Sequence, residues 1–171
     1  MEEVIFQKRS LYKTKYTGDL NSLDKQINHL AEFDKGRKET NIGGYQSNFI
    51  NFGFDELLTF VFNTAKHTPL LQDKNFRLGG FWLNINKGSD YNETHMHSMN
   101  VVSAVYYHKI CCNESPIVFT NHTPYIQKHF FKFVPSNQDI IFFDGLEPHY
   151  VEPCNQKEHT RISIAFNLLL E

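Results

Sequence analysis

The sequence has few of the features that mark secreted, membrane-spanning or strongly charged proteins. Its 171 residues include three cysteines, an odd number, and Cys111 and Cys112 are adjacent, so a disulfide framework is not expected. No apolar stretch approaches the length of a membrane span, and the N-terminal residues lack the apolar core of a secretory signal. We therefore predict a reducing, cytoplasmic location and no membrane partner.

An excess of charge of one sign is also absent, because the formal net charge is −2. A general nucleic-acid binder needs a basic surface, so no nucleic-acid partner is expected. Aromatic residues, in contrast, are abundant at 15%, with 16 Phe, which favours a core built on strands. The length suits a single domain over residues 1–171, and the oligomeric state stays open.

Two helices are predicted in the first part of the chain, about residues 1–75. Leu20, Leu23, Ile27 and Leu30 recur at helical spacing, and either Asp19 or Asn21 could cap that helix. A second helix is predicted across "FDELLTFVFNTAKH", ending before Pro69.

From about residue 76 to 171 the chain contains short runs rich in β-branched and aromatic residues. Glycine, proline, asparagine and aspartate separate these runs, which is typical of an all-β sandwich or barrel. The runs are "RLGGFWLNINKG", "NVVSAVYYHKI", "SPIVFT", "KHFFKFVP", "DIIFFDG" and "RISIAFNLLL". We predict six to eight strands, with the N-terminal helices covering a sheet.

Three histidines form a candidate metal site. His95 and His97 are separated by one residue, so in a strand they would point to the same face. His149 follows the run "DIIFF", and an antiparallel sandwich can bring it beside the pair. Neutral imidazole suits iron, zinc, copper and nickel, and three protein ligands leave positions open for substrate or oxygen.

Arg161 begins an alternating strand near the end of the sequence. One face carries Arg161, Ser163, Ala165 and Asn167, and the other is apolar. This pattern fits an exposed edge strand, or a strand that lines a cavity with the arginine facing a carboxylate, which arginine binds bidentately.

The order of these elements resembles the 2-oxoglutarate- and iron(II)-dependent oxygenases related to prolyl hydroxylases. The resemblance is to a family known largely from marine bacteria and their phages, and it covers roughly residues 40–171. Its motifs match "TNIGGYQSN", "GFWLNINKGSDYNETHMHSMNVVSAVYYHK" and "PHYVEPCNQKEHTRISIAFN". The resemblance implies a mainly β fold, a double-stranded β-helix or cupin-like jelly roll, with N-terminal helices packed on the sheet.

The same resemblance implies the site. His95, His97 and His149 match the Fe(II)-binding motif, Arg161 the anchor of the distal carboxylate of 2-oxoglutarate, and Ser163 the hydroxyl that assists it. Tyr107 stands where related enzymes place a tyrosine that reaches the same carboxylate. Asn84 and Asn167 are further candidates for lining the cosubstrate pocket. The implied activity is hydroxylation of a substrate C–H bond with O2, coupled to oxidative decarboxylation of 2-oxoglutarate.

One position departs from the usual pattern, because most such enzymes use two histidines and a carboxylate. His97 occupies the place of that carboxylate, and Glu93, Asp90 or Asp144 could supply one instead. Two alternatives to an oxygenase also stay open: a cupin-type three-histidine metalloenzyme that needs no 2-oxoglutarate, and a non-catalytic jelly-roll binding module. The sequence does not identify the prime substrate, which could be a peptide or protein proline or a small molecule.

Overall fold

The computed structural model describes residues 9–110, 115–120 and 129–171. These residues contain eleven strands and two helices, connected by loops. The helices are α1 (Leu20–Phe33) and α2 (Asp55–Ala65). The strands are β1 (Leu11–Lys15), β2 (Asn41–Ile42), β3 (Tyr45–Gln46), β4 (Phe76–Lys87), β5 (Tyr91–His95), β6 (Val101–Ile110), β7 (Ile117–Thr120), β8 (His129–Phe133), β9 (Asp139–Asp144), β10 (His149–Val151) and β11 (Thr160–Leu170).

The strands form two sheets in which all neighbours are antiparallel. The larger sheet has the order β1-β9-β6-β11-β4-β3, and the smaller has the order β2-β5-β10-β7-β8. The long strand β11 lies between β4 and β6, so it joins the two halves of the larger sheet. This arrangement confirms the predicted mainly β jelly-roll fold.

The two faces of the larger sheet bury different partners, because successive side chains of a strand point to opposite faces. One face packs against the helices. Its cluster includes Leu23, Ile27 and Leu30 of α1, Leu57 and Val61 of α2, and Leu83, Ala104, Tyr106, Ile164 and Phe166 of the sheet. The prediction that the N-terminal helices cover a sheet is therefore confirmed.

The other face of the larger sheet meets the smaller sheet. Ile117 and Phe119 of β7 pack against Tyr107 of β6 and Phe143 of β9 in a second core cluster. The ring centroids of Phe119 and Phe143 are 5.0 Å apart, edge to face. Val105, Ile117 and Phe143 of this cluster also line the cavity between the sheets.

The N-terminus of α1 agrees with the sequence prediction. Asp19 is the cap, and its carboxylate accepts hydrogen bonds from the backbone N–H groups of Asn21 and Ser22 at 2.9 and 3.2 Å. These bonds satisfy two donors that have no partner within the helix. Of the two predicted caps, Asp19 is therefore the one used.

The six predicted runs correspond to β4, β6, β7, β8, β9 and β11, whereas β1, β2, β3, β5 and β10 were not predicted. Each of these five is two to five residues long. The first part of the chain thus contributes strands to both sheets besides its helices. β2 and β3 have two residues each, too few for a periodic pattern, and β1 and β3 lie at the edges of the larger sheet.

Two sequence observations concern other parts of the chain. Cys111 and Cys112 lie outside the described residues. Among the residues that are described, no helix has the length and hydropathy needed to cross a membrane.

Candidate metal centre

Three imidazoles meet between the sheets. His95 is the last residue of β5 and His149 the first of β10, and their Cα atoms are direct partners across this strand pair. His97 lies two residues after β5. The potential ligand atoms of the three side chains all lie within 4.8 Å of one another, close enough to hold one metal ion.

A loop, not a strand, positions His97, so the strand-period argument for this residue is wrong. β5 ends at His95, and the backbone N–H of His97 donates to the carbonyl of Gly145 at 2.7 Å. Gly145 in turn donates to the carbonyl of Val101 at 2.8 Å. A Cβ at position 145 would lie only 2.7 Å from that oxygen, so only glycine permits the close approach that holds this loop.

Hydrogen bonds orient two of the three rings. Nδ1 of His95 lies 2.8 Å from the carbonyl oxygen of Glu93, and Nδ1 of His149 lies 2.7 Å from that of Glu147. Because a carbonyl can only accept, each Nδ1 carries the proton and each Nε2 keeps a free lone pair. This is the tautomer in which a histidine binds a metal through Nε2 while a second partner fixes its ring.

Burial keeps the three rings neutral. It lowers the pKa of His149 well below the usual 6.5, and the neighbouring His95 lowers it further. Burial likewise lowers the pKa of His97 to about 4 and that of His95, although the hydrogen bond to Glu93 opposes the latter shift. Neutral imidazoles are the form that binds metal ions.

No carboxylate belongs to this histidine cluster within residues 9–110, 115–120 and 129–171. The carboxylates of Asp90 and Asp144 instead accept hydrogen bonds from the backbone N–H groups of Lys87 and Leu146, at 2.8 and 2.9 Å. Glu93 is exposed to solvent.

The histidine cluster opens into a cavity of about 360 Å³, and four of the five candidate cosubstrate residues also line it; Tyr107 is not part of the wall but lies beside Arg161. Arg161, Ser163, Asn84 and Asn167 all contribute to its wall. Ser163 is the direct partner of Asn84 on β4 and of Tyr107 on β6, so strand pairing brings these predicted residues side by side.

Arg161 is a buried cation at this cavity. Its guanidinium lies 5.1 Å from the centre of the Tyr107 ring, and Nη1 donates to the carbonyl of Ser115 at 3.0 Å. Burial lowers the pKa of Arg161, yet a guanidinium stays charged in a protein. Burial also raises the pKa of Tyr107 to about 12, opposed by the charge of Arg161, so the phenol keeps its proton.

Several buried polar atoms around the cavity have no hydrogen-bond partner among the described residues. They are Oδ1 of Asn84, Asn86 and Asn167 and Oγ of Ser103. An unsatisfied buried polar group costs about 1–3 kcal/mol, so such a group of them fits a cavity built for a polar ligand. The side-chain amide and hydroxyl groups of these residues can form hydrogen bonds with the oxygen atoms of 2-oxoglutarate, so the cavity wall fits this cosubstrate.

Sequence reasoning did not select Asn86 or Ser103 as site residues. Both line the cavity, and Ser103 is the direct partner of Asn167 across β6 and β11. The available signal was their alternation with apolar residues, which puts Asn86 on the same strand face as Asn84, and Ser103 on the same face as Tyr107.

A jelly roll with three imidazoles and a buried arginine on one cavity has the arrangement expected of a jelly-roll metalloenzyme. Within that class, a sequence model of the family described as "Putative 2OG-Fe(II) oxygenase" matches residues 80–167, more than half of the chain. The chain belongs to this family, as the sequence motifs predicted. It is therefore an oxidoreductase that uses iron(II), 2-oxoglutarate and O2. This assignment favours the oxygenase over the cupin-type enzyme and the non-catalytic module.

Solved structures similar to this chain include three prolyl hydroxylases. The Pseudomonas putida prolyl-4-hydroxylase has 13% sequence identity and a TM-score of 0.65, over 95% of this chain and 94% of that one. The viral collagen prolyl hydroxylase of Paramecium bursaria Chlorella virus-1, solved with 2-oxoglutarate, has 14% identity and a TM-score of 0.62, over 92% and 94%.

The third is a Trichoplax adhaerens prolyl hydroxylase, solved with a peptide fragment of the hypoxia inducible factor oxygen degradation domain. It has 13% identity and a TM-score of 0.68, over 93% of this chain and 83% of that one. At such identities the likeness shows the fold alone. A comparison with curated protein sequences gives no match.

Proposed function

We propose that His95, His97 and His149 together bind the iron(II) ion of this oxygenase through their Nε2 atoms. The observation that carries this proposal is the meeting of three neutral imidazoles on the cavity that also holds Arg161. Hydrogen bonds already direct Nε2 of His95 and His149 away from the backbone. Three neutral ligands leave the site one unit more positive than two histidines and a carboxylate would, which favours an anionic cosubstrate.

We propose further that Arg161 anchors the distal carboxylate of 2-oxoglutarate, assisted by Ser163 and the hydroxyl of Tyr107. A buried cation is strongly stabilised by a buried anion, and a guanidinium matches a carboxylate with two parallel hydrogen bonds. Nη1 of Arg161 already donates to a carbonyl, which holds the fork in place. Asn84 and Asn167, together with Asn86 and Ser103, provide polar atoms for the rest of the cosubstrate.

Bound iron(II) supplies the chemistry with O2: one oxygen atom leaves in succinate, formed with CO2 from 2-oxoglutarate, and the other enters a substrate C–H bond as a hydroxyl. The chain's own residues orient the reactants and exclude water. Val105, Phe143 and Val151 are among the apolar residues of the cavity wall. A dry wall strengthens the pairing of Arg161 with a carboxylate, because charges attract more strongly at low dielectric.

The prime substrate that we propose is a proline, either in a peptide or protein or as the free amino acid. Support comes from the prolyl hydroxylases among the similar structures, one of them solved with a peptide. The cavity opens beside the exposed side chains of Phe49 and Met96, which leaves room for a substrate to approach the imidazoles.

An anaerobic titration with Fe(II) and then 2-oxoglutarate tests the ligand set. We expect a visible charge-transfer band when the keto acid chelates the metal, and succinate formation when O2 is added. His149→Ala should abolish the band. Arg161→Gln should weaken 2-oxoglutarate binding by about tenfold or more, since a charge-assisted pair is lost.

Arg77→Gln is the matched control, because this arginine of β4 is exposed and pairs only loosely with Glu171, at 3.7 Å. It should leave the titration unchanged. Unaltered 2-oxoglutarate affinity in Arg161→Gln would overturn the anchor assignment. For the third metal ligand, His97→Asp should keep iron binding and His97→Ala should weaken it; equal binding in wild type and His97→Ala would remove His97 from the set.

A further inference from the structure

A second arginine, Arg37, lies at the open side of the same cavity. Its backbone N–H donates to the carbonyl of Gln46 at 2.8 Å, which fixes its position beside β3. Its guanidinium lies 4.2 Å from the ring centre of Phe49 and 5.8 Å from that of Trp82. Phe49 is 54% exposed, so this stack forms the solvent side of the cavity wall.

The hydrogen-bonding capacity of Arg37 is only partly used. Its Nε is buried and has no acceptor among the described residues. The nearest carboxylate is that of Glu39, 3.7 Å from Nη1, and the Glu39 side chain is 57% exposed. A long ion pair to an exposed partner is weak. The guanidinium therefore keeps donors for a further acceptor, and a carboxylate can use two of them at once.

Arg37 and Arg161 serve different parts of the cavity. Arg37 adjoins β3, and β11, which carries Arg161, lies two strands beyond β3. Because Arg37 pairs with the outer edge of β3, three strand spacings, roughly 14 Å, separate its backbone from that of β11. Arg161 is 3% exposed, whereas the Arg37 side chain is 23% exposed. One cation is thus enclosed and the other is reachable from solvent.

An aromatic surface connects Arg37 with the histidine cluster. The rings of Phe49 and Trp82 are 5.8 Å apart, and the Trp82 ring is 6.2 Å from that of His97. A ligand held by Arg37 can therefore lay its apolar part along Trp82 toward His97. Aromatic faces of this kind hold apolar or ring-shaped groups with little loss of side-chain entropy.

We propose that Arg37 binds a carboxylate of the prime substrate, while Phe49 and Trp82 hold the adjoining apolar group beside His97. This inference rests on the proposed oxygenase function and adds the chemical class of its substrate. The carboxylate comes either from a free acid or from an acidic residue of a peptide. Arg37 then determines specificity by rejecting the uncharged amide of the same compound.

The test compares acids with their amides in the iron(II)-loaded enzyme. One arm uses free L-proline against L-prolinamide, and the other uses proline-containing peptides with a flanking Glu against the same peptides with Gln. The readout is succinate formed above the rate without added substrate. We expect the acid of at least one arm to be preferred by about tenfold in kcat/KM, and the responding arm identifies the source.

Arg37→Gln should remove this preference by lowering the response to the acid to that of the amide, mainly through KM. Arg37→Lys, which keeps the charge but not the fork, should retain part of it. Arg77→Gln is the control and should behave as wild type. The anaerobic 2-oxoglutarate titration should give Arg37→Gln a dissociation constant within about twofold of wild type, unlike Arg161→Gln.

Several results would overturn the proposal. The proposal is wrong if acids and amides give equal responses, or if Arg37→Gln keeps the preference for the acid. It is also wrong if no acid produces a response in an enzyme that does form succinate. Loss of 2-oxoglutarate binding in Arg37→Gln would assign this arginine to the cosubstrate instead. If the wild type shows neither the charge-transfer band nor succinate, the oxygenase function itself is contradicted. This outcome differs from failure of the Arg37 proposal, in which the band and succinate are present.

Discussion

Two buried serines of this enzyme differ in their hydrogen bonds. The hydroxyl of Ser47 donates to the carbonyl of Asn48 at 2.7 Å and accepts from the N–H of Leu83 at 3.0 Å. The hydroxyl of Ser103 faces the cavity and has no such partner among the described residues. One hydroxyl therefore stabilises the fold, whereas the other is available to a ligand.

This contrast predicts opposite effects of the same substitution. Ser47→Ala should lower the free energy of unfolding by about 1–3 kcal/mol, because the N–H of Leu83 is left buried and unpaired. Ser103→Ala should leave the stability of the metal-free protein equal to wild type or higher, and should weaken 2-oxoglutarate binding. Urea unfolding and the anaerobic titration measure the two effects. A destabilised Ser103→Ala with normal cosubstrate affinity would contradict the assignment.

The lowered pKa values of the histidines predict acid sensitivity of the metal-free protein. Burial lowers the pKa of His97 from 6.5 to about 4, so the unfolded chain binds protons in this interval that the folded chain does not. The histidine contribution to stability is therefore complete above pH 6.5 and is lost as the pH falls toward 4. His95 and His149 shift in the same direction.

Thermal unfolding in a chelator, followed across this pH interval, measures the effect. His97→Asn should flatten the pH dependence of the unfolding free energy. The exposed His67 provides the control, since His67→Asn should leave the slope as in wild type. A slope that is equal in all three proteins would show that acid destabilisation arises elsewhere.

At the scale of elements, α1 depends on its cap and on one apolar face. Asp19 satisfies two N–H groups at its start, and Leu23, Ile27 and Leu30 bury the face that covers the larger sheet. Asp19→Ala should lower the free energy of unfolding by about 0.5–2 kcal/mol. Asn21→Ala, which leaves the cap intact, should change it less. Chemical denaturation of both variants tests this, and equal losses would contradict the assignment of the cap.

The elements also separate what the sequence could predict from what it could not. The spacing of Leu20, Leu23, Ile27 and Leu30 was enough to predict α1. The long apolar runs were enough to predict β4, β6 and β11. The strands β5 and β10 are short and contain no apolar run, and they are defined by pairing with each other and with their neighbours. Their existence depends on contacts distant in sequence, so local patterns did not reveal them.

The site divides in the same way. Motif order predicted His95, His97, His149 and Arg161, because together they resemble the site motifs of the oxygenase family. The loop that carries His97 depends on Gly145, which lies far away in the chain. Arg37 lies in the basic run "KGRK", which fits a solvated loop as well as a contact with an acidic substrate. Only the tertiary fold, which stacks this arginine on Phe49 and Trp82, separates the two interpretations.

At the scale of the whole molecule, ligand binding should raise thermal stability. A ligand that binds only the folded state at 100 times its dissociation constant adds about 2.7 kcal/mol. For a chain of this size the Tm should rise by about 5–11 °C with Mn(II), as a redox-stable substitute, and 2-oxoglutarate. Scanning fluorimetry measures the shift. It should vanish in His149→Ala; no shift in wild type would instead support a non-catalytic jelly roll.

β11 lies between β4 and β6 although it follows both of them along the chain. A ribosome therefore releases the two flanking strands before the strand that joins them exists. The larger sheet and the part of the cavity wall that carries Arg161 and Ser163 are therefore completed together, by the last of the described strands.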